Sequence, residues 1–138
     1  MKSNQPENWP QFFTATILNW MPLLQDDHYK EIIINSLRFA IKEKRINLIA
    51  FVIMRNHVHF VWQQLMPYTK TQVQLSFMKF TAQQIKFHLE KHNPDLLKNY
   101  KVDLKDRAYQ FWERNPLTTE RFLPDVMQQK IDYIQIIL

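Results

Sequence analysis

Hydrophobic residues follow two periodicities along the chain. Short runs rich in β-branched and aromatic residues occupy positions 12–18, 46–53 and 57–63, and each is too short for a helix. We therefore predict three β-strands, and the nearly unbroken apolar run 48–53 predicts that the second strand is buried on both faces. Because a tight connection through Arg55 and Asn56 joins the second and third strands, we expect them to pair as an antiparallel hairpin.

Longer amphipathic segments lie between and after these runs. Asp26 or Asp27 can cap a first helix, and a second helix is predicted from about Thr71 to His92, where Asn93-Pro94 stops it. The residues expected to be buried recur at spacings of three and four. In the first helix they are Tyr29, Ile33, Leu37, Ala40 and Ile41; in the second they are Leu75, Met78, Ala82, Ile85 and Leu89.

The last third of the chain is less regular. Residues 95–107 are mixed and charged, which indicates a loop, whereas residues 108–114 alternate well enough for a strand at the edge of a sheet. Pro124-Asp125 can open a last helix whose core-facing positions would be Met127, Ile131, Ile134 and Leu138. Tyr133 would then lie roughly 130° from the centre of that stripe, so the pattern does not make it a core residue.

These elements predict a single α+β domain over residues 1–138. We expect a ferredoxin-like or RRM-like central antiparallel sheet with helices packed on it, and an irregular arm over residues 1–10. The chain carries a net charge of +5 with a pI near 9.5, which suits a polyanionic partner such as nucleic acid. No apolar run is long enough to cross a membrane and the first residues are polar, so we expect a cytoplasmic protein.

Two residue types are missing from the sequence, glycine and cysteine. Without cysteine there is neither a disulfide framework nor a thiolate zinc site. Without glycine, phosphate-cradling loops of the P-loop or Rossmann type are excluded. Any turn that requires a positive φ should use an asparagine or aspartate, and the candidates are Asn19, Asn56, Asn93 and Asn115.

His57 and His59 begin the third predicted strand. Side chains two apart on a strand project from the same face, so the two imidazoles should lie together while Val58 and Phe60 point into the core. Two imidazoles on one side of a rigid strand make half of a divalent metal site. The pattern alone is also compatible with two histidines that merely face solvent.

The surrounding residues resemble a known family. Met54, Asn56, His57, His59 and Phe60 form a string similar to the signature of the HUH single-tyrosine transposases, especially the REP-associated tyrosine transposases. Later segments resemble the same family in the same order: Ser76–Ala82 with Met78 as an insertion-like departure, the Phe111-Trp112 pair, and Lys130-Ile131-Asp132-Tyr133-Ile134. The resemblance spans about residues 12–138.

The resemblance implies a reaction and a set of roles. Tyr133 would attack a phosphodiester in single-stranded, hairpin-forming DNA and leave a 5′-phosphotyrosine link, as in DNA transposition. His57 and His59 would hold Mg²⁺ or Mn²⁺, and two imidazoles suggest that Mn²⁺ binds at least as well. Gln129 shares the tyrosine's side of the helix and is the first candidate for a third ligand. Candidate DNA contacts are Arg55, Asn56, Lys79, Thr81, Arg114 and Lys130.

The sequence departs from the family after the tyrosine. It reads Tyr133-Ile134-Gln135-Ile136-Ile137-Leu138, with Ile137 where related transposases place an amide ligand. A non-catalytic or decayed single-stranded nucleic-acid-binding domain on the same fold is therefore the alternative. A metal hydrolase of another family would need Asp103, Asp106 and Glu113 to fold back toward the histidines. Relatives occur both as homodimers and as monomers, so both states stay open.

Overall fold

The computed structural model describes residues 9–119. Three helices and six strands make up this part of the chain. In chain order they are β1 Gln11–Thr16, α1 Asp27–Lys42, β2 Ile46–Ile53, β3 His57–Gln64, α2 Lys70–His92, α3 Pro94–Leu97, β4 Lys101–Leu104, β5 Arg107–Tyr109 and β6 Leu117–Thr119.

Four of the strands form one antiparallel sheet in the order β2-β3-β1-β6. With α1 between β1 and β2, and α2 between β3 and β6, this is the βαββαβ arrangement of a ferredoxin-like fold. The predicted α+β class and the antiparallel hairpin of β2 and β3 are thus confirmed. Strands β4 and β5 pair with each other in a small separate sheet.

The core lies between one face of the sheet and the two long helices. Phe60 of β3 and Phe77 of α2 meet edge to face, with ring centroids 5.1 Å apart, and Phe13 of β1 lies 5.0 Å from the ring of Trp62. Each side chain of this size contributes about 1.5–3 kcal/mol when it is fully buried. Since side chains alternate along a strand, the histidines of β3 belong to the other face.

Both long helices begin at a specific cap. The Asp26 carboxylate accepts a hydrogen bond from the His28 N–H at the start of α1, as predicted. Thr69 and Gln72 form a reciprocal capping box at the start of α2, and Asn93-Pro94 ends that helix at the expected place. None of the helices within residues 9–119 is both long and apolar enough to cross a membrane.

The buried side of α2 agrees with the prediction at Ile85 and Leu89 and differs from it elsewhere. Its buried residues are Val73, Phe77, Thr81, Ile85 and Leu89, whereas Leu75 is 63% exposed. Apolar and aromatic residues occur around the whole circumference of this helix, so spacing alone fits more than one stripe. In α1 the predicted Tyr29, Ile33 and Leu37 are buried, but Ile41 near the end of the helix is exposed.

Strand β2 was expected to be buried on both faces, and this expectation is wrong. It is an edge strand of the four-stranded sheet, and its register against β3 shifts between Leu48 and Ala50. Ile49, at this irregularity, is 46% exposed. Leu48, Ala50, Phe51 and Ile53 are only half-buried, so neither face of β2 is fully covered.

The predicted strand 108–114 is divided into two parts in the structure. Its first residues pair with β4, while Trp112 forms a bridge with Ile17 beyond the end of β1. The charged segment before it holds α3 and β4 rather than only a loop. The N-terminal arm lies almost wholly outside the described residues, and the last helix lies outside them entirely.

Without glycine, four other residues take the left-handed conformation within residues 9–119. Asn19 and Asn115 were predicted for this role, and Trp20 and Lys44 were not. Asn56 and Asn93 do not have a positive φ, contrary to expectation. The side chains of these two asparagines instead make hydrogen bonds next to the histidine strand and at the start of α3.

Three histidines meet where α1 packs against α2. The ring of His88 lies 4.2 Å from that of His28 and 4.3 Å from that of His92, and its Nδ1 is 2.8 Å from the Tyr29 hydroxyl oxygen. Its Nε2 is buried without a hydrogen-bond partner among the described residues. Burial, reinforced by positive charge on His28 and His92 and opposed by Asp26, lowers the pKa of His88 below 6.5.

This lowered pKa predicts acid sensitivity. The unfolded chain takes up a proton at His88 as the pH falls through about 6.5, before the folded chain does, so the free energy of unfolding should decrease below that pH. Urea denaturation of the wild type and of His88→Gln between pH 8 and pH 5 measures the effect. The wild type should lose more stability than the variant, and equal losses would contradict this role.

Candidate metal and nucleic-acid site

Strand β3 presents His57 and His59 on the face of the sheet opposite to the helices. Val58 and Phe60, which alternate with them, are fully buried in the core, as the sequence predicted. The two imidazole rings lie with their centroids 4.7 Å apart and their planes nearly perpendicular. Both side chains are half-buried. The strand therefore fixes two imidazole rings side by side.

The neighbouring residue Asn56 orients His57. The Nδ1 of His57 lies 2.7 Å from Asn56 Oδ1, and because an amide oxygen can only accept, Nδ1–H is the donor. The lone pair of this neutral tautomer is then on Nε2, which is the atom that a metal would use. Burial lowers the pKa of His57, which further favours the neutral, ligating form.

Strand β1 supports His59 from the side. Thr14 lies directly opposite it in the register, and the Thr14 hydroxyl is 2.9 Å from His59 Nδ1. When Nδ1–H donates to this hydroxyl, the lone pair again lies on Nε2. The Phe12 ring, 5.5 Å from the imidazole, covers its flank. Side-chain partners of this kind commonly hold metal-binding histidines in place, so the pair fits a divalent cation.

The described residues contain two of the predicted metal ligands. Within residues 9–119, no three histidine, aspartate, glutamate or cysteine side chains are placed to hold one ion together. The predicted third ligand, Gln129, and the predicted nucleophile, Tyr133, lie outside the described residues, as does Lys130. Two of the predicted ligands are thus brought together by β3.

The turn before the histidines is fastened to the loop that follows β1. Ile17 N–H donates to Asn56 C=O at 2.8 Å, and Leu24 N–H donates to Arg55 C=O at 2.9 Å. In that loop Asn19 and Trp20 have φ angles of 56° and 58°. A non-glycine residue held in this region costs roughly 1–3 kcal/mol, so the surrounding contacts must impose the conformation. The Asn56 side chain supplies one of them, since its Nδ2 donates to Trp20 C=O at 3.4 Å.

A second contact to this loop comes from Glu113. Its backbone N–H donates to Thr16 C=O at 2.7 Å, and its Oε1 accepts from Asn19 N–H at 2.6 Å. Thr16 pairs with His57 on its other side, so Glu113 and His57 flank the same residue of β1. None of the sequence motifs indicated that Trp20 or Thr14 would lie near His57 and His59. The only nearby signal was Asn19, which was predicted as a candidate for a positive φ.

The carboxylates needed by a metal hydrolase do not gather at the histidines. Asp106 is paired with Arg107 at 2.9 Å, and this contact lowers the pKa of Asp106. Asp103 is exposed on β4, and Glu113 is hydrogen-bonded to the loop after β1. The structure therefore offers no support for that hypothesis.

Solved structures of two other proteins share this architecture. One is a REP-associated tyrosine transposase bound to a REP hairpin; it aligns with 99% of this chain and 70% of its own, with a TM-score of 0.68 and 14% sequence identity. The chain shares its fold with this transposase. A protein of Deinococcus radiodurans R1, provisionally named a transposase, aligns over 99% of this chain and 95% of its own, with a TM-score of 0.59 and 14% identity.

Comparisons of sequence alone find no such relative. No protein-family model matches the chain, and no curated protein matches it significantly. At 14% identity the two structural neighbours establish the fold. Which reaction this fold supports depends on the side chains at the site.

Four of the predicted DNA contacts lie on two separate surfaces of the fold. Arg55 is exposed and Asn56 half-buried at the histidine end of the sheet. Lys79 and Arg114 are exposed along an open groove of about 790 Å³ between α2 and residues 106–116. Tyr109 also lines this groove. Because α2 packs on the helix face of the sheet, the structure does not bring Lys79 to the histidines.

Thr81 was predicted to contact DNA, and the structure places it where DNA cannot reach. It is fully buried, its hydroxyl donates to Phe77 C=O at 2.7 Å, and the same oxygen accepts from the Trp112 indole N–H at 3.0 Å. The sequence motif suggested a surface role because it did not show which side of α2 is covered. Thr81 instead fixes Trp112 against the helix.

Replacing Thr81 should test this internal role. Thr81→Val keeps the shape but leaves the buried Trp112 N–H without its acceptor, so we expect a loss of about 1–3 kcal/mol in the free energy of unfolding. Thr81→Ser keeps the hydroxyl and should lose about 0.8 kcal/mol for the missing methyl group. Urea denaturation measures both. A valine variant as stable as the serine variant would show that the hydrogen bond to Trp112 is unimportant.

Proposed function

We propose that the protein is a metal-dependent transposase-type nuclease that cleaves and rejoins single-stranded DNA in the cytoplasm. The observation that carries the proposal is the pair His57 and His59 on β3, an inner strand of the sheet. Each imidazole is held at Nδ1 by a neighbouring side chain, and the fold is shared with a tyrosine transposase. The resemblance of Lys130–Ile134 to the segment that carries the family's nucleophile supports Tyr133 as the attacking residue.

In the proposed reaction the phenol oxygen of Tyr133 forms a bond to phosphorus while the bond from phosphorus to the 3′ oxygen breaks. The products are a 5′-phosphotyrosine and a 3′-hydroxyl, so overall the phenol loses one proton and the departing 3′ oxygen gains one. A free tyrosine has a pKa of about 10, so a nearby positive charge helps. Lys130, one helical turn before Tyr133 in the predicted last helix, is suited to stabilise the phenolate.

The histidines would serve as neutral ligands. A divalent cation held by His57, His59 and Gln129 would withdraw charge from the phosphate and assist departure of the 3′ oxygen. Asn56 and Thr14 keep the two imidazoles in the orientation that such binding requires. Because the phosphotyrosine link preserves an activated ester, attack by a 3′-hydroxyl in the reverse direction would reseal a strand.

The proposed substrate is a hairpin-forming single strand. One structural neighbour is described as bound to a REP hairpin, and this chain has a net charge of +5. Arg55 stands beside the histidines, where it can contact the backbone of the reacting strand. Arg114 and Lys79 border the groove on the other side of the sheet and are suited to a more distant part of the DNA.

The alternative function is a binding domain that no longer cuts. One observation favours it: residues 9–119 supply two metal ligands and no third. The sequence adds that Ile137 occupies the position of an amide ligand in related transposases. Such a protein would still recognise hairpin DNA through its basic and aromatic residues.

Covalent capture separates the two functions. Incubated with labelled hairpin single strands and Mn²⁺ or Mg²⁺, the wild type should form a DNA adduct that survives a denaturing gel. Tyr133→Phe should abolish it because the nucleophile is missing, and His57→Ala should reduce it at least about 100-fold. DNA retarded on a native gel with no adduct under either metal would support the non-catalytic alternative.

Asn56 should tune metal affinity through His57. Asn56→Ala removes the acceptor for His57 Nδ1–H, and loss of such a partner typically lowers affinity about 10–100-fold. Asn56→Asp keeps an acceptor oxygen at the same place and should bind Mn²⁺ at least as well as the wild type. Isothermal titration with Mn²⁺ measures all three proteins. Unchanged affinity in Asn56→Ala would mean that this contact does not orient a ligand.

A further inference from the structure

Trp20 is the most exposed tryptophan in the described part of the chain. Its side chain is 64% exposed, whereas Trp62 and Trp112 are 2% and 5% exposed and Trp9 is half-buried. A large aromatic side chain left in water contributes little to the core. Its indole ring is therefore accessible to a ligand at the surface.

The backbone at Trp20 is held in an unfavourable conformation. Asn19 and Trp20 are consecutive left-handed residues, and a bulky side chain is rarely found with a φ of 58°. Local hydrogen bonds close the turn, since Trp20 N–H donates to Ile17 C=O at 2.9 Å and Met21 N–H donates to Leu18 C=O at 3.2 Å. Strain maintained in this way is concentrated at functional sites.

The contacts that hold this turn connect it to the candidate metal site. Asn56 donates from Nδ2 to Trp20 C=O and accepts at Oδ1 from His57, so one side chain positions both the tryptophan and the imidazole. Glu113 fixes the other end of the turn through Asn19 N–H. Leu24, a few residues later, is bonded to the backbone of Arg55. An exposed indole, an exposed arginine and two histidines thus share one end of the sheet.

We infer that Trp20 is a stacking platform for an unpaired base of single-stranded DNA, next to the phosphate that faces His57 and His59. Indole rings stack on any base, because every base has a π-face, while Arg55 is suited to the adjacent phosphate. Trp20 would be a positioning residue that requires an unpaired nucleotide without selecting its identity. The inference rests on the proposed function for its choice of single-stranded DNA as the ligand.

Binding measured with chelator present tests the platform without cleavage. For a hairpin that carries a single-stranded flank, Trp20→Ala should raise the dissociation constant about 5- to 150-fold. Trp20→Phe should retain most of the affinity. The affinity of Trp20→Ala for the same hairpin without a flank should equal that of the wild type. The matched control is Phe87→Ala, because Phe87 is also an exposed aromatic residue but lies on α2. This variant should bind both hairpins normally.

A spectroscopic readout locates the base. 2-Aminopurine, a fluorescent base, is placed at successive positions of the flank. The wild type should quench the 2-aminopurine fluorescence at one position. Trp20→Ala should not, although the other three tryptophans of the protein remain. Glu113→Ala should weaken this quenching because Asn19 N–H loses its acceptor, and Glu113→Gln should restore it. Thermal unfolding of each variant shows whether the fold is retained.

The outcomes separate this inference from the proposed function. Normal flank binding and quenching by a folded Trp20→Ala protein would overturn the stacking role, whatever the covalent assay shows. Equal losses on flanked and unflanked hairpins would also overturn it. Trp20-dependent quenching by a wild type that forms no adduct with any metal would support the platform and contradict the nuclease. A wild type that binds no single-stranded DNA would overturn both.

Discussion

The register between β1 and β3 is the constraint on which the rest of the structure depends. It sets Phe13 opposite Phe60 on the face that packs against the helices, and Thr14 opposite His59 on the other face. A slip of one residue would exchange the two faces, placing the imidazoles in the core and the phenyl rings in water. The edge-to-face packing of Phe13, Phe60 and Trp62 against Phe77 opposes such a slip. Packing of the core thereby fixes the geometry of the histidines.

The same register explains what could be predicted from the sequence. Alternation in β3 is short and unambiguous, so the shared face of His57 and His59 followed from the sequence alone. In α2 the apolar residues are distributed around the helix, so their spacing does not identify the buried side. Phe77 and Thr81 are buried and Leu75 is exposed because of how the helix packs on the sheet. The division of residues 108–114 also depends on partners distant in sequence, β4 for one part and Ile17 for the other.

The surroundings of the histidines could not be predicted for the same reason. Trp20 and Glu113 are 93 positions apart, and neither belongs to a motif that suggests a site. They lie at the same end of the sheet because β1 pairs with β3 on one side, while on its other side Trp112 bridges to Ile17 and Glu113 N–H donates to Thr16 C=O. The asparagine at position 19 did indicate a left-handed turn in a chain without glycine, but the strained residue after it has no local signature. Backbone hydrogen bonds between distant segments assemble this end of the sheet.

The irregularity in β2 bears on how copies of the chain can associate. An edge strand offers unpaired N–H and C=O groups to any other strand of suitable register, and a regular edge invites continuous sheets between molecules. The register shift at Leu48 and Ala50 interrupts the row of hydrogen-bonding groups in the middle of β2. Edge-to-edge growth through this strand is therefore disfavoured, which protects the protein from aggregation and directs any self-association to another surface.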